Sequence, residues 1–306
     1  MTDSLFHTRT IVGQASGPHL LLLGGVHGDE FEPMAALRLL LRQVGSRTLR
    51  GRLTMVPVVN EAAFARGTRT AEDGLDLART FPGRPDGSIT QRVAHAAAEL
   101  IRSADFLIDL HTGGTVYKSL PFAGHVVHAD PAVLNVQRQM ARAFNLPIIW
   151  GGDPRLQGRS LSVARDASVP AIYAEYHGAA TCSRAGVEAY TAGCLNVMAC
   201  LGMIDRASPE CRVECVVEDN RPEAGHMQMC NPAPMAGFFE PAVELGDRVR
   251  PEDVLGTVTD ALGEQVVAVR ARQQGLVLVL RTFPRVNEGD MLAVILETDP
   301  WQGARP

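Results

Sequence analysis

The segment Leu20-Leu21-Leu22-Leu23-Gly24-Gly25-Val26-His27-Gly28-Asp29-Glu30 constrains this chain more than any other. Four leucines with no polar interruption read as a strand buried on both faces. Two glycines then let the backbone turn closely, and a histidine and a glutamate follow three residues apart. On a turn entering a helix, an imidazole and a carboxylate at that spacing can point at one ion, and the pair suits zinc in a hydrolytic site. A bare HxxE is common in polar turns as well. What singles this one out is a second segment of the same grammar, Phe106-Leu107-Ile108-Asp109-Leu110-His111-Thr112-Gly113-Gly114. A third, Pro170-Ala171-Ile172-Tyr173-Ala174-Glu175-Tyr176-His177, also runs apolar and ends in ionisable groups, which makes Glu175 a candidate general base.

Between these strand ends lie stretches with helical spacing at 30–44, 90–103, 131–144, 160–167 and 184–204, and further strands at 9–13, 53–59 and 146–150. Strands alternating with helices predict an α/β fold, a mainly parallel mixed sheet with helices on both faces. Ligands in such sheets bind beyond the carboxyl ends of the strands, where His27 and His111 sit. Residues 60–88 carry Gly, Arg, Asp and Pro with no period, and a loop of that length with several arginines reads as functional. Past Asp205-Arg206-Ala207-Ser208-Pro209 the texture changes to short valine-rich runs between Gly-Asp and Pro-Glu turns. The segment 237–256 is loosely echoed by 275–292, as in a small β domain built from two similar halves. The expected division is therefore a catalytic domain at 1–206 and a smaller all-β C-terminal domain at 207–306.

Composition narrows the function. A net charge of −5 without a basic block gives nucleic acid little to hold. No apolar run approaches bilayer length and the first residues lack a leader pattern, so the expectation is a cytoplasmic protein with no membrane partner. The six cysteines form no CxxC pair and read as reduced thiols. Lys118 is the one lysine among 29 basic residues and lies outside the C-terminal segment, which excludes a lipoyl- or biotinyl-carrier role for that segment.

With these segments in hand, the chain resembles the succinylglutamate desuccinylase and aspartoacylase family, relatives of the zinc carboxypeptidases. The resemblance rests on Gly24–Glu30, Asn60-Glu61-Ala62-Ala63-Phe64-Ala65-Arg66-Gly67-Thr68-Arg69, Asp73–Gly83, Asp109-Leu110-His111 and Glu175. It implies a zinc amidohydrolase with one Zn2+ per chain held by His27, Glu30 and His111. It further implies Glu175 as the catalytic glutamate, Arg69 as the arginine polarising the carbonyl, and Arg79 as the holder of a substrate carboxylate, with Asn60 also at the substrate. Asp109, two residues before His111 on the same strand face, is placed to orient that ligand.

One departure stands out. The family pattern Asp-Leu-Asn-Arg is Asp76-Leu77-Ala78-Arg79 here, so an amide that helps grip the carboxylate is missing. His177, expected on the same face as Glu175, and Arg159, at the start of the 160–167 helix, are the candidate substitutes. The implied reaction is removal of an acyl group from an N-acyl amino acid or similar small amide, in a homo-oligomer. The alternatives are a metallocarboxypeptidase acting on short peptides and a non-catalytic relative that binds metal or ligand.

Overall fold

The computed structural model describes residues 5–225 and 230–297. Residues 1–4, on which part of the leader reading rests, and 226–229 and 298–306, which belong to the expected C-terminal domain, lie outside the described residues. The chain forms two units, Met1–Thr115 with Pro121–Gly225, and Val116–Leu120 with His226–Pro306.

The first unit is the α/β fold that the alternating pattern predicts. Its elements run β1 (Arg9–Val12), β2 (Ala15–Leu23), α1 (Phe31–Gln43), β3 (Arg50–Val56), α2 (Glu61–Arg66), α3 (Ile89–Arg102), β4 (Phe106–His111), β5 (Tyr117–Val126), α4 (Pro131–Phe144), β6 (Ile148–Gly152), α5 (Ser160–Asp166), β7 (Ala171–Gly178), α6 (Arg184–Cys200) and β8 (Cys215–Glu218). The strands lie in the order β1-β3-β2-β4-β7-β5-β6-β8. β3, β2, β4 and β7 are parallel neighbours, as are β5, β6 and β8, while β1 runs antiparallel to β3.

The four leucines of β2 show why the sheet needs cover on both sides. Successive side chains of a strand point to opposite faces. Leu20 and Leu22 enter one core with Leu37, Leu40, Met140 and Val197 of α1, α4 and α6, whereas Leu21 and Leu23 enter another with Val93, Ala97 and Leu161 of α3 and α5. All four are fully buried, and each contributes about 1.5–3 kcal/mol relative to leaving it in water.

The division of the chain differs from the textural boundary at 206/207. Residues 207–225 stay with the first unit because β8 pairs in parallel with β6, joining Ile148 to Cys215 and Gly151 to Glu218. β5 begins in the second unit and continues in the first. The segment 60–88 also holds more order than its lack of period suggests. Asn60 caps the short helix α2, and Asp76 caps a single 3-10 turn, Leu77–Arg79.

The second unit is β-rich. β9 (Gly237–Pro241), β10 (Arg248–Val249), β11 (Val254–Thr259), β12 (Val266–Arg270), β13 (Gly275–Arg281), β14 (Arg285–Val286) and β15 (Ala293–Leu296) surround a core that includes Phe239, Leu255, Val258, Val277, Leu292 and Ile295. One sheet has the order β12-β11-β9-β14; in the other, β13 pairs with β10, β15 and the start of β5 at Tyr117–Ser119. The internal echo has a structural counterpart: the Asp247 carboxylate accepts the Glu244 N–H at 2.8 Å, and Asp290 accepts the Asn287 N–H at 2.9 Å. Each bond closes a turn carrying a glycine of positive φ, Gly246 or Gly289. Among the described residues, no helix is long and apolar enough to cross a membrane.

Candidate active site

β2 and β4 are parallel with Leu23 in register with Asp109, so both strands end at one edge of the sheet. After β2 the chain turns at Gly25, whose φ of +60° favours glycine. At Gly28 a Cβ would lie 2.1 Å from the backbone of Ala63, so only glycine lets this turn rest on α2. The turn delivers His27 and Glu30, the residue capping α1, to His111 at the end of β4.

The ligand-capable atoms of His27, Glu30 and His111 all lie within 4.8 Å of one another, and all three residues are buried. Nδ1 of His27 is 2.6 Å from Glu30 Oε1, and Nδ1 of His111 is 3.1 Å from Glu30 Oε2. Each far nitrogen meets another carboxylate: His27 Nε2 lies 3.0 Å from Asp76 Oδ1, and His111 Nε2 lies 3.1 Å from Asp109 Oδ2. A ring that donates Nε2–H to a carboxylate presents the Nδ1 lone pair to a ligand. Burial alone would raise Glu30, but the two imidazoles outweigh it and hold its carboxyl well below the usual range. Burial likewise opposes charge on His111, and Asp109 and Glu30 override it, raising that imidazole well above its ordinary value.

Glu175 reaches the same edge from β7, in register with His111, so both side chains leave the same face of the sheet. It is 8% exposed. Burial, reinforced by the Glu30 charge and opposed by His111, pushes its carboxyl up to about 7. Arg69 places Nη1 3.8 Å from Glu30 Oε1, and its Nε and Nη2 donate to Asp76 Oδ2 at 3.2 and 3.0 Å. These five residues form one cluster at the predicted place.

The expected substrate-binding residues separate into two kinds. Arg79 sits on the 3-10 turn with its Nη1 donating to the Ala78 carbonyl at 2.6 Å. Burial, and then the Arg159 charge, lowers its guanidinium to about 10. Arg159 caps α5 and donates to the Gly225 carbonyl at 3.4 Å. The Nε of each is buried and has no acceptor among the described residues. Asn60 and His177 also make local structural contacts. The Asn60 Oδ1 accepts the Ala63 N–H at 3.1 Å as the cap of α2. His177 has a φ of +48°, which interrupts the strand alternation that would have set it beside Glu175. Its ring stands edge-on to Tyr176 at 4.6 Å, and its carbonyl accepts the Gly113 N–H at 2.9 Å.

Three contributors escaped the sequence reading. Asp76 touches both His27 and Arg69. The Ser160 hydroxyl donates to Asp109 Oδ2, and the Tyr190 hydroxyl donates to the His111 carbonyl and, at 3.3 Å, to that of Ala174. Each partner lies far away in sequence or outside any periodic pattern.

The fold is the α/β fold of the succinylglutamate desuccinylase/aspartoacylase structures. Residues 16–201 match the succinylglutamate desuccinylase/aspartoacylase catalytic domain, and the chain belongs to that family. It is 32% identical over 297 residues to the N-alpha-acetyl-L-2,4-diaminobutyric acid deacetylase of Halomonas elongata, covering 94% of this chain and 84% of the relative. Among solved structures, a succinylglutamate desuccinylase/aspartoacylase from Rhodobacter sphaeroides aligns with a TM-score of 0.84 and 29% identity, over 95% of this chain and 89% of that one. The product-bound ectoine utilization protein EutE (DoeB) of Ruegeria pomeroyi aligns with a TM-score of 0.85 and 28% identity, over 95% and 88%.

Proposed function

We propose that this chain is a zinc-dependent deacylase that hydrolyses the amide of an N-acyl amino acid, with N-acetylated 2,4-diaminobutyrate the first substrate to test. The observation that carries the reading is the convergence of His27, Glu30 and His111 within 4.8 Å, beside a buried Glu175. The donor set fits the metal. Two imidazoles and one carboxylate are the ligand chemistry of open catalytic zinc sites, and each imidazole has its far nitrogen on a carboxylate. Zinc held there supplies Lewis-acid activation of water and of the scissile carbonyl.

The chain's own groups do the rest. Glu175 takes the proton of the attacking water and returns it to the leaving nitrogen, work suited to a carboxyl poised near neutrality. A cation nearby draws that value down, keeping the carboxylate ready to accept. Arg69 stabilises the negative charge that grows on the carbonyl oxygen. Arg79 and Arg159 hold the substrate carboxylate, the second guanidinium standing in for the amide that Ala78 lacks. The choice of substrate follows the Halomonas elongata relative, which aligns over nearly the whole chain, whereas the succinylglutamate desuccinylase of Burkholderia thailandensis aligns over 54% of it.

The test is a panel of N-acetyl and N-succinyl amino acids and short peptides, assayed with zinc-loaded protein. N-acetyl-2,4-diaminobutyrate is expected to give the highest specificity constant. Preferential cleavage of peptides, or no turnover of any member, would overturn the proposal.

A further inference from the structure

We infer that Asp76 is a positioning residue that ties the metal-ligating imidazole of His27 to the carbonyl-polarising guanidinium of Arg69 through its two carboxylate oxygens. The inference rests on the proposed metal site. Oδ1 accepts from His27 Nε2 at 3.0 Å and from the Ala78 N–H at 2.9 Å. Oδ2 accepts from Arg69 Nε at 3.2 Å and Nη2 at 3.0 Å. The Asp76 main-chain carbonyl accepts the Arg79 N–H at 2.9 Å and the Thr80 hydroxyl at 2.7 Å. One residue therefore fixes the orientation of a ligand histidine, the reach of Arg69 and the turn that presents Arg79.

A purely structural explanation is available, since Asp76 caps the 3-10 turn Leu77–Arg79. The two oxygens let the roles be separated. Asparagine caps about as well as aspartate. With its oxygen toward Ala78 and His27, the amide of Asp76→Asn turns its NH2 group toward Arg69, where donor meets donor. Arg69 then loses its acceptor while the cap and the His27 contact survive. Asp76→Ala removes the acceptor from both.

The experiment measures zinc affinity by competition with a chromophoric chelator, together with kcat and KM on the best substrate, for wild type, Asp76→Asn, Asp76→Ala and His27→Ala, with thermal melts to check folding. Partners that orient a ligand histidine are worth about ten- to a hundred-fold in affinity or activity. Asp76→Ala is expected to weaken zinc by about that factor and to lower kcat further. Asp76→Asn is expected to leave zinc affinity within a few-fold and to lower kcat by about ten-fold or more, with KM little changed. A cap alone predicts no loss of kcat in Asp76→Asn. Wild-type kcat in Asp76→Asn overturns the inference, including where Asp76→Ala does not fold; so does wild-type zinc affinity in a folded Asp76→Ala. If wild type and His27→Ala bind zinc equally, it is the metal site itself that has failed.

Discussion

Replacing Glu175 with Gln removes a buried carboxyl whose pKa the fold raises. The side chain is 8% exposed, and its carboxyl rises from an ordinary 4.5 to about 7. That rise corresponds to about 3 kcal/mol against the ionised form. Because the pKa is raised in the fold, Glu175 favours the folded state only while protonated; that contribution is present below 4.5 and is lost as the pH rises through 7. At about pH 8 the metal-free wild type carries the full penalty, and Glu175→Gln carries none. The metal-free variant should therefore melt above wild type at that pH, by at most about 5 °C for a chain of this size, with the gap closing below about pH 5. The same substitution leaves nothing to accept the proton of water, so turnover of the zinc-loaded variant should fall by about a hundred- to ten-thousand-fold. Calorimetry of the metal-free proteins across pH and steady-state kinetics of the loaded ones provide both readouts. A melting gap that widens on acidification, or near-normal turnover, would refute the assignment of Glu175 as a buried base.

Two further substitutions test neighbouring parts of the account. Arg79→Ala should lower the specificity constant for a carboxylate-bearing substrate by about ten- to a hundred-fold while sparing its neutral amide analogue. An equal loss on both would make Arg79 structural or transition-state-directed, and Ala78→Asn should tighten binding of the acid if the carboxylate sits where the family pattern places it. Tyr190→Phe removes a buried hydroxyl bonded to the carbonyls of His111 and Ala174 and should destabilise the protein by about 1–3 kcal/mol in denaturant unfolding with zinc affinity retained.

The legible parts of this chain are those whose physics is local. The double-sided strand Leu20–Leu23, the helices with clear spacing and the three strand ends bearing His27, His111 and Glu175 follow from runs and periods, and the structure brings those ends together. α2 spans six residues and the turn at Leu77–Arg79 three, too few to show a period, so 60–88 reads as loop. β5 carries Lys118, Ser119, Pro121, Gly124 and His125 and shows neither alternation nor an apolar run, although it pairs with β6. The extent of the first unit depends on β8 joining β6 across more than sixty intervening residues, contact that no local texture reveals. His177 was placed by a period of two that its positive φ breaks. Asp76 meets His27 across 49 positions, so its place at the site emerges only in three dimensions.

The central claim is that His27, Glu30 and His111 hold one catalytic zinc. Metal-free protein titrated with zinc, with bound metal and acetate release from N-acetyl-2,4-diaminobutyrate followed together, tests it most directly. The account predicts activity that rises in proportion to bound zinc and stops at one equivalent per chain, and a folded His111→Ala protein that neither binds the metal stoichiometrically nor turns over. Full activity in the metal-free protein, or stoichiometric zinc binding by His111→Ala, would contradict it.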